Sequence, residues 1–292
     1  MEFKSAYKQL NRKVNTWCKY TKRLDTYGMG CQHGCKYCYA KGLLNFRGKW
    51  NEYEPLKSNL MDIVKKIKLL HSGCVVRMGS MTDCFQPMEI ENRITYQTIK
   101  LLNHYKIHYL IITKSNLVSK DEYLQIYDKN LAHFQISITS TDNEISSKYE
   151  KASQPSERIK SVEKLFSLGF DVSIRLSPFI EQFIDFDILN NISCDKILIE
   201  FLKVNYFVKN SFDIDYSDCM VNCGGYKHLP LFKKLQLIKK VNGFKEVSVG
   251  EYVKEHHEYF KQNINYNKND CCNLKLNFRP IYKQLELWNQ SN

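Results

Sequence analysis

Five short runs of β-branched and apolar residues, alternating with amphipathic stretches of helical length, confine this chain to few folds. The runs are CVVRMG (Cys74–Gly79), HYLIIT (His108–Thr113), HFQISIT (His133–Thr139), FDVSIRL (Phe170–Leu176) and DKILIEF (Asp195–Phe201). Apolar character of this density and length marks strands buried on both faces. Residues 56–70 place Leu60, Ile63, Ile67 and Leu70 on one helical face, and residues 89–105 do the same with Ile90, Ile94, Ile99 and Leu102. Residues 155–169 open on Pro155, carry acid in the first turn and stop at Gly169, as a helix should. Strands alternating with helices read as parallel βαβ units. A sixth strand around Arg23–Tyr27 completes an α/β fold, a (β/α)6 sheet curled into an open, partial TIM-like barrel. In such barrels the chemistry gathers at the C-terminal ends of the strands.

The chain divides into a basic segment (1–21), the barrel core (22–201) and an extension (202–292). The extension begins with NYFVKNSFDIDYSDCMVNCGGY, which has no clean period and carries Cys219 and Cys223. A helix (LPLFKKLQLIKKV), a short strand (KEVSVG) and a short helix (EYVKEHHEYF) follow. The irregular stretch NINYNKNDCCNLKLN holds Cys271 and Cys272. The extension is expected to pack against or across the barrel mouth.

The formal charge is +12, and residues 1–50 hold eleven Lys or Arg against Glu2 and Asp25. Such an arm suits nucleic acid, although a chain rich in Lys, Asn, Ile and Tyr also acquires lysines by composition alone. Candidate contacts are Lys13, Lys19, Lys22, Arg23, Lys36, Lys41, Arg47 and Lys49, with Trp17, Tyr20, Phe46 and Trp50 as stacking aromatics. The opening residues MEFKSAYKQLNRK lack an apolar signal core, and the longest apolar runs are too short to span a membrane. Eleven cysteines without a secretory signal point to a reducing cytoplasm and to metal or redox chemistry. A monomer with no membrane association is expected.

Three cysteines, Cys31, Cys35 and Cys38 in GCQHGCKYCYA, are spaced C-x3-C-x2-C. Three thiolates with no local fourth ligand suit a cubane iron–sulfur cluster with one iron left open to a cofactor. The alternative is a zinc knuckle borrowing His33 or a distant cysteine. Polar residues collect at the strand ends: Ser80, Thr82, Asp83, Cys84 and Gln86, then Thr113 and Lys114. Gln135, Ser137 and Thr139 share one strand face, and Ser173, Arg175 and Ser177 share another. A buried arginine must be paired. Arg175 could pair with a structural carboxylate, Glu200 or Asp83, or clamp the carboxylate of an amino-acid-like ligand with two bonds.

With GCQHGCKYCYA, MTDCFQPME, ITKS and SITSTDNEISSKYEKASQPSERIKSVEKLFSLGFDVSIRLSPFI in order, the chain resembles the radical S-adenosylmethionine superfamily. More narrowly it resembles the spore-photoproduct-lyase-like branch, also labelled DNA repair photolyases. The likeness runs from Gly30 to about Ile180, with fainter agreement to Phe201. It implies that Cys31, Cys35 and Cys38 hold a [4Fe–4S] cluster whose fourth iron binds S-adenosylmethionine. One electron, from a donor such as flavodoxin or ferredoxin, then yields a 5′-deoxyadenosyl radical that abstracts hydrogen from a substrate. Tyr37 would pack near the adenine. Ser80, Ser137 and Arg175 would address the methionine and ribose portions, with Thr82, Lys114, Thr139 and Ser177 in the same cofactor-binding set. Asp83 and Cys84 are the candidate catalytic residues. The branch pattern TDPYQPxE reads TDCFQPME here, so Cys84 replaces a proline. The lesion lyase returns a hydrogen atom from a cysteine near this lip, but Cys84 is not in clean register with it. Cys84 is either a hydrogen donor or a buried apolar cysteine.

The leading function is radical chemistry on a nucleic-acid base, as repair or modification, with a duplex base flipped out to reach the site. The alternative is a radical enzyme acting on a peptide or small metabolite. A non-enzymatic iron–sulfur module is the third reading. Cys219, Cys223, Cys271 and Cys272 could approach one another and hold a second metal centre. They could also form a redox relay, reach the active-site mouth singly, or be buried apolar cysteines.

Overall fold

A computed structural model of the chain describes residues 7–9, 17–45, 48, 50, 51, 53–71 and 73–276. Eight strands stand side by side in one sheet: β1 (Tyr7–Gln9), β2 (Lys22–Leu24), β3 (Val75–Met78), β4 (His108–Thr113), β5 (Ala132–Ile138), β6 (Asp171–Phe179), β7 (Lys196–Phe201) and β8 (Glu246–Val249). Their order across the sheet is their order in the chain. Every pair from β2 to β8 is parallel, and β1 runs antiparallel on β2. Each crossover therefore steps in the same direction. Right-handed crossovers put the helices on one face, and twist curls the other face inward as a partial barrel.

The strands are apolar throughout because both faces are covered. β4 and β5 are buried at every position. One face, with Val76, Met78, Tyr109, Ile111, Phe134, Ile136, Val172, Ile174, Ile197 and Ile199, packs in the main core against the helices. The alternate residues Val75, Leu110, Ile112 and Leu198 form a second, interior cluster with Tyr20 and Cys272. Each such side chain removed from water contributes about 1.5–3 kcal/mol.

Local chemistry moves three boundaries from where periodicity alone places them. The first parallel strand ends at Leu24, and Tyr27–Gly28 pairs antiparallel with Leu56–Lys57 instead. The helix expected over 56–70 begins at Leu60, because the Asn59 side chain accepts from the amides of Met61 (2.9 Å) and Asp62 (3.3 Å). The helix expected over 89–105 is two helices, Glu89–Asn92 and Ile94–His104, broken at Arg93 with φ 56°. Glu89 sits fully buried at that break and accepts from the Thr95 and Tyr96 amides (2.9 Å each).

The extension serves both ends of the barrel. At the mouth it places the helix Tyr206–Ser211 and a hairpin of Val221–Cys223 with Tyr226–His228. β8 then joins the sheet beside β7. After the helix Lys254–Asn263, the chain closes the floor. There Lys196 Nζ donates to the Asn273 carbonyl and to Asp171 (2.6 Å each), and the Lys275 amide donates to Asp171 (2.8 Å). His133 Nδ1 lies 2.6 Å from Asp171, and its Nε2 lies 3.1 Å from His108 Nδ1. Burial pushes the Asp171 carboxyl up, but His133 and Lys196 outweigh burial and hold it at about 2. No helix among the described residues is long and apolar enough to cross a membrane.

Candidate active site

A cavity of about 420 Å³ opens at the C-terminal ends of the strands. The cysteine loop forms one wall, the lip after β3 another, and the extension a third, so one space collects residues far apart in sequence.

The loop's placement follows from a clasp and a buried ion pair. The Gln32 amide donates to Gln86 Oε1 (2.9 Å), and the Met88 amide donates to Gln32 Oε1 (2.7 Å), which fastens the loop to the lip motif. The Lys36 amide donates to the Tyr149 carbonyl (2.9 Å) and the Lys151 amide to the His33 carbonyl (2.7 Å). Between these bonds lies Glu150, whose side chain is wholly buried and ion-paired with equally buried Arg158. Glu150 also accepts from the Tyr37 hydroxyl, Thr139 Oγ1 (2.8 Å) and Ser146 Oγ (3.0 Å). Burial pushes its carboxyl up, but Arg158, Lys114 and these hydroxyls hold it at about 2. Tyr37 is thereby fixed in the cavity wall.

Cys31, Cys35 and Cys38 all line this cavity. Cys35 Sγ lies 3.9 Å from both Glu150 Oε2 and the His33 carbonyl. Cys38 Sγ accepts from the Lys41 amide (3.4 Å). Burial pushes all three thiols up, Cys31 to about 12. Among the described residues no group of three or more His, Cys, Asp or Glu side chains could hold a metal ion. This corrects the cofactor expectation: as placed, Cys31, Cys35 and Cys38 do not form a [4Fe–4S] site. A zinc site with His33 fails for the same reason. The second metal centre is corrected too, since its four cysteines are dispersed. Cys219 packs at the mouth against the cluster of Tyr37, Tyr149 and Phe212, whereas Cys271 and Cys272 pack at the floor with Tyr20, Val75 and Leu198. Cys223 lies in the mouth hairpin.

The structure gathers most of the other strand-end residues. Ser80, Thr82, Asp83, Lys114, Ser137, Arg175 and Ser177 line the cavity with Tyr37. Ser137 stands beside Arg175 in the parallel register. Asp83 organises the lip: it accepts from Thr113 Oγ1 (2.7 Å) and the Lys114 (2.7 Å) and Phe85 (2.8 Å) amides, and lies 3.3 Å from His33 Nε2. Burial raises its carboxyl, but His33 and these amides hold it at about 2. Lys114 forms no ion pair among the described residues; its Nζ lies 5.6 Å from the Tyr37 ring centre. Cys84 is buried in the main core and does not line the cavity. Thr139 lies outside the lining, with its hydroxyl on Glu150.

Arg175 meets the structural carboxylate named from sequence. It donates to Glu200 and to Gln135 Oε1 (2.7 Å), and Ser177 also donates to Glu200 (2.9 Å). Sequence reasoning missed Arg77, Tyr226 and Tyr252, which line the same cavity. Arg77 was hidden inside a strand that otherwise reads as apolar, Tyr226 ends a run without period, and Tyr252 stands in a stretch that reads only as a short helix. Of the basic arm, Lys13, Arg47 and Lys49, with the aromatic Phe46, lie outside the described residues. Tyr20 is buried at the floor with its hydroxyl on Asp270, so it offers no stacking face. Trp17 stacks on His257, with ring centres 4.8 Å apart.

The sequence profile of the Radical SAM superfamily matches residues 26–185. Two curated relatives are similar over about half of the chain. The uncharacterized protein MJ0683 of Methanocaldococcus jannaschii is 29% identical over 161 residues, which is 54% of this chain and 60% of that protein. The uncharacterized protein ORF301 of Acidianus two-tailed virus is 24% identical over 166 residues, 52% of this chain and 54% of that protein. The matched region thus spans less than two thirds of either relative. Among solved structures, a spore photoproduct lyase double mutant with bound AdoMet and dinucleoside spore photoproduct superimposes with a TM-score of 0.61. It is 15% identical, covering 84% of this chain and 81% of that one. Spore photoproduct lyase complexed with dinucleoside spore photoproduct gives 0.59 at 14% identity, covering 86% and 78%. These structures share the fold.

Proposed function

Because this chain belongs to the radical SAM superfamily, and is an enzyme of that family, we propose that its cavity binds S-adenosylmethionine and abstracts hydrogen from a nucleic-acid base, for repair or modification. The observation that carries the reading is Lys114, a cation lining the cavity with no direct ion pair among the described residues, beside the face of Tyr37. Glu150 and Asp83 favour its charge from beyond ion-pair distance, and a ligand carboxylate would supply the direct contact. A zwitterionic ligand with an aromatic base would satisfy both groups: its carboxylate on Lys114, its adenine on Tyr37. Ser80, Thr82, Ser137 and Ser177 offer hydroxyls to the ribose and methionine portions. Asp83 keeps Lys114 in place through the backbone amide. Thr139 acts at one remove, through Glu150 and Tyr37. When bound there and given one electron by a low-potential donor such as flavodoxin or ferredoxin, S-adenosylmethionine would break its S–C5′ bond, releasing methionine and supplying a 5′-deoxyadenosyl radical that takes a hydrogen atom from the substrate and leaves as 5′-deoxyadenosine.

The choice of a nucleic-acid base is supported by the net charge of +12 and by the fold shared with a lyase whose structure holds a dinucleoside photoproduct. The test is anaerobic incubation with S-adenosylmethionine and dithionite, with 5′-deoxyadenosine quantified with and without single-stranded DNA, duplex DNA and RNA. Formation raised by a nucleic acid is expected. Formation indifferent to all of them would move the substrate to a peptide or metabolite, and no formation under any condition would overturn the reading.

A further inference from the structure

The end of the cavity nearest the extension carries groups that cofactor binding leaves unused. Arg77 lines the cavity and makes no ion pair among the described residues. Its Nη1 donates to Cys18 Sγ (3.2 Å), and its buried Nε has no hydrogen-bond partner. Glu200 lines the same space. Arg175 and Ser177 both bond its Oε2, which leaves Oε1 without a hydrogen bond among the described residues. Each of the charges on Arg77 and Glu200 stabilises the other, yet no ion-pair contact joins them. A donor and an acceptor that face one cavity without meeting leave room for a group bearing the complementary pair.

Tyr226 and Tyr252 line the same cavity, half-buried, with ring centres 6.5 Å apart and planes at 69°. Tyr252 is braced by His228, stacked at 6.0 Å, and Lys203 Nζ lies 4.4 Å from the Tyr252 ring centre at the exposed rim. The hairpin turn is fitted to this ring. Gly224 has φ 58°, and a Cβ there would stand 2.6 Å from the Tyr252 ring. Only glycine lets the hairpin lie so close.

We propose that Arg77 and Glu200 read the edge of a nucleobase that presents a carbonyl beside a ring N–H (thymine, uracil or guanine), while Tyr252 and Tyr226 support its face. The guanidinium donates to the base carbonyl, the free Glu200 oxygen accepts from the ring N–H, and Lys203 is placed for a flanking phosphate. Adenine has no carbonyl and is excluded. The inference rests on the proposed function and narrows its substrate class.

The test measures equilibrium binding of short oligo(dT) and oligo(dA), and separately of S-adenosylmethionine. Wild-type protein is compared with Arg77→Gln, Tyr252→Leu and Tyr252→Phe. The wild type is expected to favour oligo(dT) by about tenfold or more, the scale of one good edge contact. Arg77→Gln should erase the preference, and Tyr252→Leu should weaken both oligonucleotides. Tyr252→Phe should match the wild type, because the ring face does the work. S-adenosylmethionine affinity should stay unchanged in all three, which also reports that the variants are folded. No preference in the wild type, a preference retained in Arg77→Gln, or a parallel loss of S-adenosylmethionine binding would overturn the inference and leave the proposed function standing. A wild type that binds S-adenosylmethionine but neither oligonucleotide would instead overturn the nucleic-acid reading itself.

Discussion

Lys114 reaches the cavity by a short route: it directly follows the last residue of β4, and its own amide is fixed by Asp83. Replacing it with methionine removes the charge and keeps much of the stem. We expect Lys114→Met to lower S-adenosylmethionine affinity by about 1.5–3 kcal/mol, the scale of a hydrogen bond to a charged group. Isothermal titration checks this, and undiminished affinity would remove Lys114 from the cofactor. At this scale the sequence was informative where polarity interrupts an apolar strand. Ser80, Lys114, Ser137 and Ser177 were legible as strand-end hydroxyls and a cation, and all line the cavity. The direction of a thiol was not legible. C-x3-C-x2-C gives proximity along the chain, but the orientations of Cys35 and Cys38 depend on Glu150 and on the Lys41 amide. The partner of Arg175 could be named only as a choice, because Glu200 is 25 residues away and only strand pairing brings it near.

The element most exposed to a single change is the cysteine loop, since it leans on Glu150. Glu150→Ala leaves Arg158 buried without its carboxylate and Tyr37 without its acceptor. The expected cost is about 3–5 kcal/mol in chemical denaturation, the usual scale for breaking a buried pair. A loss under 1 kcal/mol, roughly the worth of an exposed pair, would contradict the structural role assigned here. The strands of the core were legible to within a few residues because apolar runs of this kind have few alternative uses. The helix boundaries were less so. Asn59 caps a helix only because the preceding residues are drawn into a strand with Tyr27–Gly28, and Glu89 closes a break that hydrophobic periodicity runs straight through.

On the scale of the molecule, the floor ties the chain's end to the strand starts. Asp171 joins β6 to His133 of β5, to Lys196 of β7 and to the Lys275 amide. Its folded carboxyl titrates at about 2, below the ordinary carboxylate near 3.9. The stability it contributes is therefore present above about pH 4 and lost as pH falls toward 2, amounting to about 2 kcal/mol. Asp171→Asn should remove that increment, so wild-type and variant denaturation curves should converge as pH drops from 5 to about 2. Curves that stay parallel would contradict the linkage. This closure was not legible in NINYNKNDCCNLKLN, because a segment without period is placed by individual polar bonds. The sequence KEVSVG marks β8 only as a short strand, and its pairing with β7 shows that it extends the sheet. The central claim is that the barrel mouth is an S-adenosylmethionine site, and equilibrium dialysis with labelled S-adenosylmethionine tests it most directly. The account predicts saturable binding at a single site, displaced by S-adenosylhomocysteine and weakened in Lys114→Met; the absence of saturable binding, or binding indifferent to Lys114, would contradict it.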